Sequence, residues 1–188
     1  EPAKQTPPHT LLPSPSLAPW LQAKGGSLKF TTYQSARIFC VSALQQPDGS
    51  LGTVALERIV GSAMGLTVDR DKLWVTNKEQ AWRFTNIGPR ELKPEPEQDA
   101  ISYDAVYMPR WGILLGGCDT HDVLANIKFN ARQHELLFVN TAFSCICSID
   151  GHYNFVPVWK PSFISALSPE DRCHLNGMGA KDGQLAYA

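Results

Sequence analysis

Three segments of this chain repeat one pattern: a short apolar strand, a tight polar turn and a second strand. That recurrence restricts the fold more than any other feature. The first segment is Met64-Gly65-Leu66-Thr67-Val68-Asp69-Arg70-Asp71-Lys72-Leu73-Trp74-Val75. The second runs Leu124-Ala125-Asn126-Ile127-Lys128-Phe129-Asn130, turns, and returns as Glu135-Leu136-Leu137-Phe138-Val139. The third is Gly177-Met178-Gly179-Ala180-Lys181-Asp182-Gly183-Gln184-Leu185-Ala186-Tyr187, with an Asp-Gly turn at its centre. Leu73, Leu137 and Leu185 occupy matching places, at spacings of 64 and 48 residues. Propeller repeats run about 40–50 residues per blade. The second spacing fits directly. The first requires an insertion, and residues 88–109, with their Lys93-Pro94-Glu95-Pro96-Glu97 run, are the candidate.

The remaining segments agree with a β architecture. Leu28 to Tyr33 and Arg37 to Val41 are rich in β-branched and aromatic residues. Gln46-Pro47-Asp48-Gly49-Ser50 is a turn in which Pro sets φ and Gly tolerates its positive values. Leu51 to Ile59 reads as the returning strand, and no segment sustains a 3.6-residue apolar period. The expected fold is therefore all-β: a β-propeller present as about three blades of an incomplete ring, the N-terminal part of a longer protein. Rings need about four blades or more, so such an arc is expected to be marginally stable by itself. Residues 1–19 carry six prolines and read as a flexible leader; residues 20–188 form the partial propeller domain. Trp20 and Leu21 are expected to begin a short helical turn docked on that domain.

Composition narrows the function classes. Lys plus Arg is 17 and Asp plus Glu is 18, so the net charge of -1 lacks the basic excess of a nucleic-acid or anionic-membrane partner. No run approaches the roughly 20 apolar residues that span a bilayer. The five cysteines, at irregular spacing, read as reduced and buried small hydrophobes rather than a disulfide framework, which favours a cytoplasmic location. Cys145-Ile146-Cys147 puts both sulfurs on one strand face, with the close spacing of core packing rather than of a zinc site. Neither a glycine-rich phosphate loop nor a serine nucleophile elbow occurs.

Several phrases carry a family resemblance. They are Phe30-Thr31-Thr32-Tyr33-Gln34, Leu73-Trp74-Val75, Ala81-Trp82-Arg83-Phe84, Phe138-Val139-Asn140-Thr141, Phe155-Val156-Pro157-Val158-Trp159-Lys160-Pro161, and above all Phe163 to Leu167 and Glu170 to Gly177. Over residues 19–188 the chain resembles an uncharacterised family of conserved hypothetical, propeller-like proteins of bacteria, cyanobacteria and some algae, carried under a domain-of-unknown-function label. The resemblance implies members longer than this chain and supplies no reaction. One departure is Trp111, where resembling sequences tend to carry an aliphatic residue.

Two polar clusters enter equivalent strands: Asp119-Thr120-His121-Asp122 before Val123, and Arg172-Cys173-His174-Leu175-Asn176 before Gly177. In a propeller both lie at one end of the central channel, so His121, Asp122, Arg172, His174 and Asn176 are the expected ligand-binding residues. The Asn176-Gly177 pair resembles the inner-strand start of calcium-dependent lactonase and gluconolactonase propellers. A divalent metal ion is accordingly the candidate cofactor, with Asp122, His121, His174 and Asn176 as its ligands; the imidazoles suit zinc, copper, nickel or iron and the oxygens calcium or magnesium. A histidine oriented by Asp122 would also serve as a proton carrier. The opposing reading makes these residues fasteners between blades. Three functions stay open: a binding module for a small polar ligand or a peptide, a metal-assisted hydrolase or isomerase of the lactonase type, and a protein-interaction scaffold.

Overall fold

The structure, a computed structural model, describes residues 10–93 and 101–188. The chain enters through helix α1 (Leu17–Lys24), which begins inside the proline-rich stretch. Pro19 is tolerated there because first-turn N–H groups have no intrahelical partner. Gly25, at φ 61°, ends the helix and bonds back to Gln22 O. Ala18 and Leu21 are buried, and α1 packs on the first sheet.

That sheet is antiparallel, β1 (Leu28–Thr32), β2 (Arg37–Gln45) and β3 (Leu51–Ile59) in spatial order. Asp48 shapes its expected turn by accepting hydrogen bonds from Ser50 N and Oγ, and Gly49 supplies φ 83°. A second sheet follows as a meander of β4 (Leu66–Asp69), β5 (Lys72–Thr76), β6 (Gln80–Asn86) and, after an intervening hairpin of β7 (Arg90–Leu92) and β8 (Ile101–Tyr103), β9 (Tyr107–Leu114). The extra hairpin occupies the segment that the repeat spacing marked for an insertion. Its Pro-Glu run from residue 94 onward lies outside the described residues. The third sheet is the meander β10 (Thr120–Phe129), β11 (Arg132–Asn140), β12 (Cys145–Ser148) and β13 (Val156–Trp159). A final hairpin, β14 (Gly179–Lys181) and β15 (Gln184–Tyr187), joins it through one parallel bridge, Lys128 to Gln184.

The three repeated segments are the hairpins β4–β5, β10–β11 and β14–β15. Their turns use residues that accept left-handed backbone: Arg70, the Asn130-Ala131 pair, and the Asp182-Gly183 pair at φ 51° and 73°. Two-residue turns of positive φ match the right-handed twist of the strands they join. Leu73 and Leu137 stand equally far from Thr76 and Asn140, the strand ends remote from those turns; the second hairpin is simply longer at its turn end.

Side-chain alternation stacks the sheets in succession. On β5, Leu73 and Val75 point into a cluster with Ile38, Ala63 and Phe84, while Trp74 points the other way, into a cluster with Leu136 and Phe138 of β11. On β11, Leu137 turns from Phe138 toward Ile127, Ile146 and the third hairpin's Leu185. Each fully buried side chain of this kind contributes about 1.5–3 kcal/mol. The central strands β5, β11 and β12 are thus buried on both faces, and the described residues are all-β apart from one short helix.

Candidate functional site

One arrangement recurs three times at a single end of the sheets. Each of these sheets has a hairpin loop, at residues 33–36, 77–79 and 141–144, and the connection leaving that sheet crosses it on the way to the next hairpin. At the first, Val60 N donates to Ala36 O and Thr31 Oγ1 to Met64 O, 2.5 Å. At the second, Asp119 N donates to Lys78 O and Thr76 Oγ1 to Thr120 O, 3.5 Å. At the third, Asp171 N donates to Ala142 O and Thr141 Oγ1 to Leu175 O, 2.7 Å. The second and third connections carry the chemistry-bearing residues, and the first, Gly61-Ser62-Ala63, carries none.

The starts of β4, β10 and β14 lie side by side. Gly65 lets β4 approach β10: a Cβ there would stand 2.9 Å from the carbonyl carbon and 3.0 Å from the Cα of Asp122. Asp122 reaches onward. Its Oδ1 accepts from Val123 N at 2.8 Å and its Oδ2 from Met178 N at 2.9 Å, just ahead of β14. Burial pushes the Asp122 carboxyl above the ordinary aspartate range, against the opposing pull of those two backbone donors. Asp122 is therefore a tie between neighbouring strands, with one hydrogen bond accepted at each oxygen.

His121, His174 and Asn176 meet. His121 Nδ1 lies 2.7 Å from Asn176 Oδ1, and its Nε2 lies 3.5 Å from Asp119 Oδ2. The His121 and His174 rings sit edge to face with centroids 5.0 Å apart. His174 Nδ1 pairs with Asp171 Oδ2 at 2.6 Å. Asp119, Asp171 and His174 all adopt positive φ, between 45° and 48°, a conformation costly for most side chains and tolerated best by Asn, Asp and His. Arg172, expected among them, bonds instead within its own loop, to Glu170 Oε2 and Ser165 Oγ.

Each of the four donors expected for a divalent ion already has a protein partner: both Asp122 oxygens, His121 Nδ1 with Asn176, and His174 Nδ1 with Asp171. Among the described residues, no three His, Cys, Asp or Glu side chains are grouped to hold a metal ion. Two clefts, of about 300 and 390 Å³, lie between sheets away from the histidines, the first lined by Arg58, Trp82 and Phe84 and the second by Lys72, Trp74 and Glu135. Cys118, Cys145 and Cys147 are buried, with 3.5 Å between the Cys145 and Cys147 sulfurs, and burial raises the Cys118 thiol to about 12. Trp111 stands on β9, edge-on to Trp74. Lys160, after β13, gives its ammonium to Ile164 O.

The sequence alone did not single out Tyr33, Lys78 or Asp171. They sit on the hairpin loops and connections, and the available signal was the recurrence of a threonine beside each loop, at Thr31, Thr76 and Thr141.

No helix among the described residues is long and apolar enough to cross a membrane. A family model described as a domain of unknown function (DUF4915) matches residues 15–188. No curated protein and no solved structure gives a match.

Proposed function

The chain belongs to the DUF4915 family, and we propose that it forms an arc of a β-propeller whose axial end binds a small polar ligand. In this reading the first sheet supplies the outer strands of one blade, the second and third sheets are complete blades, and β14–β15 opens the next. Support comes from the stacking of successive sheets and from the threefold crossing of a hairpin loop by an outgoing connection. Inner strands that start side by side, at Gly65, Asp122 and Met178, support the same geometry.

The observation that carries the ligand site is the contact of His121 with Asn176 and His174. Residues on two separate connections converge there, half-buried His121 against exposed His174 and Asn176, and bring hydrogen-bonding ring nitrogens and an amide together. Binding is the favoured function because this convergence lies at the surface, with His174 and Asn176 exposed. The test is histidine-resolved NMR on the wild type and on a His121→Ala, His174→Ala variant. Succinate, ethanolamine, glucose, alanyl-alanine and calcium or zinc chloride are titrated in turn. The expected result is a saturable shift of the His121 and His174 ring signals in the wild type with at least one organic probe, together with a calorimetric heat of binding for that probe that the variant loses. If none of them moves those signals, the reading fails. Stoichiometric metal in protein purified without chelator, lost in the variant, would replace it with metal-assisted hydrolysis or isomerisation.

A further inference from the structure

The polar site continues beyond the histidines, onto the hairpin loops of the two preceding sheets. Lys78, on the loop of the second sheet, places its ammonium 3.9 Å from Asp119 Oδ1. The same ammonium lies 5.6 Å from the ring centroid of Tyr33, on the loop of the first sheet. Tyr33 holds the Lys78 amine above its ordinary pKa, with Asp119 adding to the effect. Asp119 in turn faces His121. A row of polar groups thus runs from Tyr33 through Lys78, Asp119 and His121 to His174, across all three sheets. Most of it is open to solvent: Tyr33 is 47% exposed, and the side chains of Lys78 and His174 are 51% and 59% exposed.

The charges of this row are matched within it. Lys78 and His121 both face Asp119, and His174 faces Asp171. An anionic ligand would have to compete with Asp119 for Lys78, and a cationic ligand with Lys78 or the histidines for a carboxylate. Hydroxyl groups face no such competition, because each both donates and accepts. Lys78 carries three N–H donors, and its ammonium stands 3.9 Å from Asp119 Oδ1, beyond hydrogen-bond length, on a side chain half open to solvent. A ligand hydroxyl can therefore accept from Lys78 without displacing that pair.

We infer that Tyr33 and Lys78 belong to the ligand site, and that its ligand is a neutral, hydroxyl-rich small molecule of the saccharide or cyclitol class. This rests on the binding reading above and narrows it. Glucose and myo-inositol are the probes, compared with glucose 6-phosphate and glucosamine as charged counterparts, and binding is read from the same histidine signals. The neutral probes bind more tightly than either charged one, and Lys78→Met weakens them at least about fivefold, the loss of one ordinary hydrogen bond of about 1 kcal/mol. Tyr33→Phe is the second variant and lowers affinity in the same direction; urea midpoints matching wild type confirm that both variants fold. A charged probe binding more tightly than its neutral parent overturns the ligand class. Unchanged affinity in both variants, with binding still lost on His121→Ala, overturns the extension to Tyr33 and Lys78 while leaving the histidine site standing.

Discussion

Removing the Asp122 carboxylate tests whether that side chain ties β10 to the start of the last hairpin. Asp122→Ala leaves two backbone donors, Val123 N and Met178 N, without their acceptors at 2.8 and 2.9 Å. An unsatisfied buried donor costs about 1–3 kcal/mol. Both sites are only partly buried, and water recovers some of the loss, so the net destabilisation should be about 2–3 kcal/mol. With a urea m-value near 2 kcal/mol/M, the midpoint falls by about 1–1.5 M. Asp122→Asn keeps one acceptor and turns an amide N–H₂ toward the other donor, so it should fall between alanine and wild type. Tryptophan fluorescence follows the unfolding, and hydrogen exchange at the Met178 amide locates the change. The pH dependence has a definite sign. Burial raises the Asp122 pKa in the folded state, so its stabilising share is fully present below the unfolded value near 3.9 and declines as pH rises through the raised value. The stability advantage of wild type over Asp122→Asn should therefore shrink as pH rises from below about 3.9 through the raised folded-state value. An unchanged midpoint for Asp122→Ala, with Met178 exchange as in wild type, would refute the tie. An advantage that grows with pH would refute the role of burial.

Two further outcomes follow from packing. Gly65→Ala would set a Cβ 2.5 Å from Thr76 Oγ1 and 2.9 Å from backbone carbon of Asp122, so it should destabilise by about 1–3 kcal/mol and lower Tm by several degrees in a thermal scan; an unchanged Tm would mean that β4 and β10 do not approach this closely. With Cys118, Cys145 and Cys147 buried and Cys40 and Cys173 half-buried, a thiol reagent at pH 8 should titrate no more than two cysteines in folded protein, and all five only in denaturant; rapid reaction of a third would contradict the core at β12.

The strands were legible in the sequence because their signals are local. Leu51–Ile59 emerges as one strand because a Pro-Asp-Gly turn precedes it and it carries the β-branched residues Thr53, Val54 and Ile59. Asp182-Gly183 marks its hairpin because few residue pairs accept two positive φ values in a row. The meeting of His121 with Asn176 and His174 was inferable only through the repeats, which put the two polar clusters ahead of equivalent strands. What escaped was the direction of individual side chains. Arg172 shares a run with His174, yet the local pull of Glu170, at 2.7 Å, turns it back on its own loop. Asp122 reads as a metal ligand beside His121, yet the start of β14 supplies a backbone donor that no one-dimensional pattern reveals. Lys78 and Tyr33 were missed for the complementary reason: they stand on short loops with no motif, and only the crossing connection brings Asp119 to them.

The row from Tyr33 to His174 is spread over three separately built sheets, and the last hairpin pairs with its neighbour's strands in a single backbone register position, Lys128 with Gln184. A bound molecule spanning that row would act as a strut, holding the fan of sheets at one spread. Ligand at a hundredfold excess over Kd adds about 2.7 kcal/mol to the stability of whatever state binds it. Affinity at the rim would then gauge the angle between sheets, and a substitution such as Gly65→Ala, deep in a seam and touching no ligand, would register there as weaker binding.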